Sequence, residues 1–266
     1  SLEIREALDA FRFNEAAMLC YRFTWHEFCD WYLEMAKQGL YSQDEALKRS
    51  TRYVLRQAML GVLRLAHPFM PFVTEELWHR MPGTEGSVMT APFPRPEDYL
   101  EDPAALEEMD LLMGLITAIR NIRGEMNIPP GKKVSVVAET PDRDQADVIR
   151  RNIAHIGALA SVASVEITES TEKPEASATA VFGDNQVHVL LKGLLDFEEE
   201  KRRLRKAVQK IEKEMTASNK KLANQGFMQK APPEVVDEVR ERVSGMEQKL
   251  ARLNANLEFF ESIAKG

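Results

Sequence analysis

The residue types able to hold a ligand or meet a nucleic acid fall in two places. Near the start, Trp25, Trp31 and Tyr32 could stack on splayed RNA bases, and His26 with Cys29, three apart beside Glu27 and Asp30, could begin a metal site. A zinc centre uses three or four ligands, usually with a recognisable second pair, so two on one helix are too few and no metal is expected. Trp31 lies on an apolar helical stripe and is expected in the core, whereas Trp25 and Tyr32 stay open to either role. Toward the end, residues 201–230 carry ten Lys or Arg (Lys201, Arg202, Arg203, Arg205, Lys206, Lys210, Lys213, Lys220, Lys221, Lys230) against only Glu212 and Glu214. Positive charge in that excess along one segment is the footprint of phosphate contact. No Ser/His/Asp arrangement, phosphate loop or ligand cluster suited to catalysis stands in the sequence.

At 266 residues, with 44% hydrophobic content, the chain is long enough for more than one core. Its net charge of -7 argues against a general nucleic-acid binder until it is divided: residues 193–266 carry about +2 and residues 1–192 about -9. No apolar run approaches the roughly 18 residues of a membrane span. Cys20 and Cys29 sit about 13 Å apart along one predicted helix and on opposite faces, so they cannot pair there, and two unpaired thiols imply a reducing cytosol. No charged leader precedes an apolar core, and the chain starts within a helical pattern (Leu2, Ile4, Leu8, Phe11), so a place inside a longer protein is expected.

The elements that must position these residues follow from periodicity. Apolar residues recur every three or four positions from Leu2 to about Asn127, which predicts a helical bundle over residues 1–128. One helix is expected from Asn14, as N-cap, to about Lys37, with Ala17, Cys20, Thr24, Phe28, Trp31 and Met35 on one stripe. Others are expected near Asp44–Ala66 and Phe72–Met81, then, after a proline-rich loop from Pro82 to Pro103, up to about Asn127. Beyond Pro129-Pro130-Gly131 the period changes. Residues 129–192 read as a small α+β domain: strands at Lys133–Glu139, Val165–Thr168, Ala178–Phe182 and Gln186–Leu191, a helix near Asp142–Ile156, and a hairpin turn at Gly183-Asp184-Asn185.

Residues 193–266 read as two amphipathic helices joined by a ten-residue break at Asn224–Pro233. Val236, Val239, Val243, Met246, Leu250, Leu253, Leu257 and Phe260 form an unbroken a/d seam, and Phe197, Leu204, Val208, Ile211, Met215 and Leu222 repeat it with Lys201 and Ser218 as interruptions. An antiparallel hairpin about 40 Å long is expected. The whole is therefore mainly α: a bundle, a small α+β domain and a helical-hairpin coiled coil.

Several stretches resemble the valyl-tRNA synthetase family of bacterial type. Trp25-His26-Glu27-Phe28-Cys29-Asp30-Trp31-Tyr32-Leu33-Glu34 carries the discriminating Cys-Asp-Trp-Tyr. Residues 63–78, from Leu63-Arg64-Leu65-Ala66-His67-Pro68 to Leu77-Trp78, resemble a segment shared with the isoleucine and leucine enzymes. Residues 119–133, which include Asn121-Ile122-Arg123-Gly124-Glu125-Met126-Asn127-Ile128-Pro129-Pro130, also look valyl. So do Gly193-Leu194-Leu195-Asp196 and Gly226-Phe227-Met228-Gln229-Lys230-Ala231-Pro232.

The resemblance implies a helical anticodon-binding domain, a small α+β domain and a tRNA-binding arm that reaches the RNA elbow. It also implies that activation, ATP binding and editing lie in upstream domains, leaving this chain without cofactor or catalytic residue, and as a monomer bound to valine tRNA. Arg202, Arg205, Lys206, Lys213, Lys220 and Lys221 are the arm candidates. Arg22, Lys48, Arg49, Arg52 and Arg56 are candidates on the anticodon side, chosen as cations on bundle helices. His155-Ile156-Gly157-Ala158 repeats three residues of the family's His-Ile-Gly-His nucleotide motif, but Ala158 replaces the second histidine and no Lys-Met-Ser-Lys-Ser partner follows, so it is read as chance. The rival to RNA binding is a structural or protein-binding coiled coil, which the clean second seam permits.

Overall fold

The computed structural model describes residues 1–169, 172–194, 196–230 and 232–263, and excludes the side chains of residues 228–230 and 263. Leu195 and Ala231, and the side chains of Met228, Gln229 and Lys230, all within motifs quoted above, lie outside the described residues. The chain forms two compact units, Ser1–Glu107 and Glu108–Gly266.

The first unit is helical: α1 (Leu2–Asp9), α2 (Phe13–Arg22), a π-helical segment (Phe23–Leu33), α3 (Glu34–Leu40), α4 (Glu45–Ala66) and α5 (Pro71–Arg80). The Asp44 side chain starts α4 by accepting from the amides of Ala46 and Leu47, as an N-cap should. Two small cores hold the unit. Ile4, Ala7, Ala16, Cys20, Leu65 and Ala66 close one, and Leu60, Leu63, Trp78 and Val88 the other.

Two expectations fail here for local reasons. The helix expected from Asn14 begins at Phe13, behind Arg12, and widens after Arg22 into a π turn before returning to α at Glu34. Phe11, expected on the α1 face, instead ends that helix at φ 57. There its amide donates to Leu8 O (3.0 Å) and the Arg12 amide to Ala7 O (2.8 Å), the two bonds of a Schellman turn. Glycine suits that conformation and phenylalanine does not. The ring is 78% exposed, its neighbour Phe13 lying edge-on at 6.1 Å. Phe11→Gly should therefore stabilise the protein by about 0.5–1 kcal/mol; an unchanged or lower urea midpoint would show that the turn is unstrained.

The second unit takes in most of α6 (Pro103–Glu125), then β1 (Val134–Glu139), α7 (Arg143–Arg151), α8 (Ile153–Ala160), β2 (Val162–Thr168), β3 (Ser177–Phe182) and β4 (Asn185–Leu190). The strands order as β2-β1-β4-β3, with β1 and β2 parallel and the other pairs antiparallel. Parallel neighbours need a crossover, which α7 and α8 supply. The one helix expected at Asp142–Ile156 breaks at Asn152 and resumes to Ala160. Val134, Val136, Ala138, Val187 and Val189 are buried on the sheet, and Ile149 and Ile156 on the helices. The hairpin turn is Gly183-Asp184, with Asn185 already paired to Phe182 in the ladder.

Candidate nucleic-acid interface

The arm is built by α9 (Phe197–Ala223) and α11 (Pro233–Ile263), with the short α10 (Gln225–Lys230) inside the expected break. Asp196 caps α9, accepting from the amides of Glu198 and Glu199. Lys220 and Lys221 lie in its last turn, where the carbonyl end of the helix favours cations. Asn224 then accepts from the amides of Gly226 and Phe227 and starts α10.

Every residue of the expected seam on α11 is buried or half-buried, including Val236, Val243 and Phe260. On α9, Leu204 and Ile211 are buried opposite them. The antiparallel register shows at the base, where Phe197 meets Phe260 at 5.7 Å between ring centroids and Arg205 bonds Glu261 at 2.6 Å. Lys201 interrupts the apolar seam without opening it: its stem is buried while its amine reaches Glu198.

With the seam turned toward α11, the opposite side of α9 is fixed. Residues advance by about 100° along an α-helix, so Arg202, Lys206, Lys213 and Lys220 fall within about 40° of one another, roughly opposite Leu204 and Ile211. Their rise is about 27 Å. Lys210 and Lys221 lie beside that ridge. All six are exposed, and among the described residues none has a carboxylate partner. Two other described cations differ. Arg203 pairs with Glu200, which holds its guanidinium above its ordinary value, and Arg205 is engaged across the hairpin by Glu261. Five of the six sequence-derived arm candidates therefore face solvent unpaired, and Arg205 is partly neutralised.

The root of the arm is fastened by main-chain carbonyls. Asn256 Nδ2 donates to Glu125 O at 3.2 Å, and Lys132 Nζ to Leu194 O at 2.8 Å. Next to these, Arg123 lies 9% exposed at the end of α6 and bonds four carbonyls: Lys132 O (2.9 Å), Ser161 O (3.4 Å), Pro129 O (3.1 Å) and Pro130 O (3.3 Å). Burial pushes this guanidinium below its ordinary value. Arg123 thus ties α6 to the Pro-Pro-Gly turn and to the corner before β2.

The anticodon-side candidates are less uniform. Arg22, Arg49 and Arg52 are exposed without a carboxylate partner among the described residues, while Lys48 pairs with Glu45 on its own helix. Arg56 is taken up by structure: its Nε donates to Pro82 O at 2.7 Å and its Nη2 to Gly83 O at 3.2 Å. Of the aromatics, Trp25 is 55% exposed and lies parallel to Tyr21 at 6.3 Å, whereas Tyr32 is half-buried against Phe28. Trp31 is half-buried. His26 Nδ1 stands 3.3 Å from Asp30 Oδ2. His155 sits inside α8, and burial lowers its pKa.

One polar line went unseen in the sequence. His188 is buried between Thr179 (Nδ1 to Oγ1, 2.9 Å) and Glu139 (Nε2 to Oε2, 3.3 Å). Strand register alone places Thr179 opposite His188 on β3, and Glu139 two residues beyond Val137, the residue opposite His188 on β1. The line gives both ring nitrogens of this buried histidine a partner.

Helical platform, small sheet and basic hairpin together agree with what the comparisons find. Residues 2–138 match the anticodon-binding domain of tRNA ligases, and the chain belongs to that family. Residues 196–260 match the tRNA binding arm of valyl tRNA synthetase. Similar proteins include the valine–tRNA ligase of Geobacter sulfurreducens, 42% identical over 264 residues, which are 98% of this chain and 30% of the relative. That of Syntrophotalea carbinolica is 41% identical over 258 residues (96% and 29%), and that of Thermotoga maritima 38% over 261 residues (97% and 29%). The chain thus spans about 30% of the length of the relatives it matches. Among the described residues no helix is long and apolar enough to cross a membrane.

Proposed function

We propose that this chain is the RNA-holding part of a valine–tRNA ligase, gripping valine tRNA so that domains outside it can join valine to the RNA with ATP. The observation that carries the reading is the ridge of unpaired cations on α9, within the segment that matches the tRNA binding arm. The ridge meets the phosphates of the RNA elbow, and the helical unit meets the anticodon stem-loop, with Arg22, Arg49 and Arg52 as its available cations. Phosphate contacts position an RNA without reading its sequence. Discrimination between tRNAs therefore falls to the helical unit and the anticodon. No bond is made or broken in this chain; it contributes by holding the acceptor end in place, since binding remote from the reacting centre supplies orientation there. The three sequence-derived domains, a monomeric state and a cytosolic location belong to the same reading.

The rival, a coiled coil for binding another protein, drew on the exposed seam that α11 would present alone. That seam is taken up by α9 within the chain, which favours the RNA reading. The test is a titration of the chain with valine tRNA and with isoleucine tRNA at one salt concentration. Tighter binding of valine tRNA supports the proposal; equal affinity would leave only a general polyanion binder.

A further inference from the structure

The corner where α6 ends gathers two guanidinium groups around one pocket of about 290 Å³. Arg120 and Arg123 line it with Gly124, Ile128, Leu159 and Ser161, and no Asp or Glu is among its lining residues. Three residues apart on α6, the two arginines share a helix face, where like charges repel. Arg120 is exposed, and its Nε donates to Leu159 O at 2.9 Å, which holds the guanidinium at the pocket.

Burying a cation is costly unless an anion stands near. Arg123 meets carbonyls instead. Its four bonds to Lys132, Ser161, Pro129 and Pro130 use Nη1 and Nη2, and a carbonyl brings a dipole but no net charge. The clasp thus explains where this guanidinium points, yet leaves its charge uncompensated beside a second one. Gly124 keeps the place open, since a Cβ there would meet no atom within 4 Å.

The position of the pocket indicates which anion fills it. Asn256 of α11 bonds Glu125 O, next to Gly124. Lys132, whose carbonyl Arg123 holds, bonds Leu194 O ahead of α9. The pocket therefore lies at the base of the segment that matches the tRNA binding arm, in the same compact unit as the cation ridge. Guanidinium forks suit phosphate oxygens. We infer that the pocket takes one backbone phosphate of the bound tRNA, a contact apart from the ridge, with Arg120 meeting the phosphate and Arg123 supplying fixed charge beside it. This rests on the RNA-holding reading above.

Two variants test it in tRNA titrations at several salt concentrations. Arg120→Ala should weaken binding about fivefold and lower the slope of log K against log salt by about 0.7–0.9. The loss should be equal for valine and isoleucine tRNA, because a phosphate contact carries no sequence information. Gly124→Leu fills the pocket from a position with room for a side chain. Its melting temperature should hold or rise, leucine being the better helix former, while its tRNA affinity falls by a similar factor. Parent-like binding by either variant would overturn the inference. So would a loss in Arg120→Ala that comes with a lower melting temperature and an unchanged salt slope, which would mark a structural clasp. A loss seen in the 266-residue chain but absent from the full-length protein would also overturn it, in favour of a carboxylate from the longer protein. If the RNA reading itself fails, the parent chain binds no tRNA. If this inference alone fails, the parent binds and responds to reversal of the ridge, while these two variants leave binding unchanged.

Discussion

Reversing the ridge with Arg202→Glu, Lys206→Glu, Lys213→Glu and Lys220→Glu together is expected to weaken tRNA binding about a hundredfold at near-physiological salt. It should also flatten the dependence of log K on log salt by about three, since each phosphate contact contributes roughly 0.7–0.9 to that slope. These side chains face away from the seam, so the hairpin should keep its helicity and melting temperature. Arg205→Glu is the internal contrast. Its guanidinium already bonds Glu261, so the RNA-facing charge it removes is small and a loss of only a few fold is expected. If the quadruple variant binds as tightly as the parent in filter or fluorescence titrations, the ridge is a solvated face and the RNA reading of the arm fails. If Arg205→Glu alone matches it, contact runs along the junction of the two helices instead of the outer ridge.

Arg123→Ala is expected to have the largest effect on stability, about 4 kcal/mol. Hydrogen bonds to a charged group are worth roughly 1.5–3 kcal/mol each, while Pro129 O and Ser161 O keep the amides of Lys132 and Val134 as donors. Some of the four carbonyls will recover water, which is why the total falls well below the sum. At about 2–4 °C per kcal/mol for units of this size, the melting transition of the sheet-containing unit should drop by roughly 8–16 °C. Arg123→Lys should recover little, because one ammonium cannot reproduce a planar fork of donors aimed at carbonyls on both sides. A melting temperature within about 2 °C of the parent would show that the clasp is dispensable.

The arm was legible because its signals are local. Val236 to Phe260 repeat without a miss, Asp196 marks the start of α9, and the charge excess of residues 201–230 survives in space as the ridge on α9. Asp44 and the Gly183-Asp184 turn were visible for the same reason. What stayed hidden depends on partners far along the chain. Arg205 finds Glu261 and Arg56 finds Pro82 and Gly83, and neither pairing follows from helical spacing. Each removes a cation that charge counting had left available. The Thr179–His188–Glu139 line likewise required the β1-β4-β3 register. The π segment is a different case: residues 23–33 hold no glycine or proline to signal a change of winding, and an α-helical stripe through Thr24, Phe28 and Trp31 was the natural reading.

On the proposed reading, one RNA is held at its elbow by the outer ridge of α9 and at its anticodon stem-loop by the helical unit. Hydroxyl-radical footprinting of valine tRNA bound to the chain tests this most directly. Two patches of backbone protection are expected, at the elbow and in the anticodon stem-loop, with the elbow patch alone lost when the four ridge cations are reversed. Protection at neither place, or an elbow patch indifferent to that reversal, would contradict it.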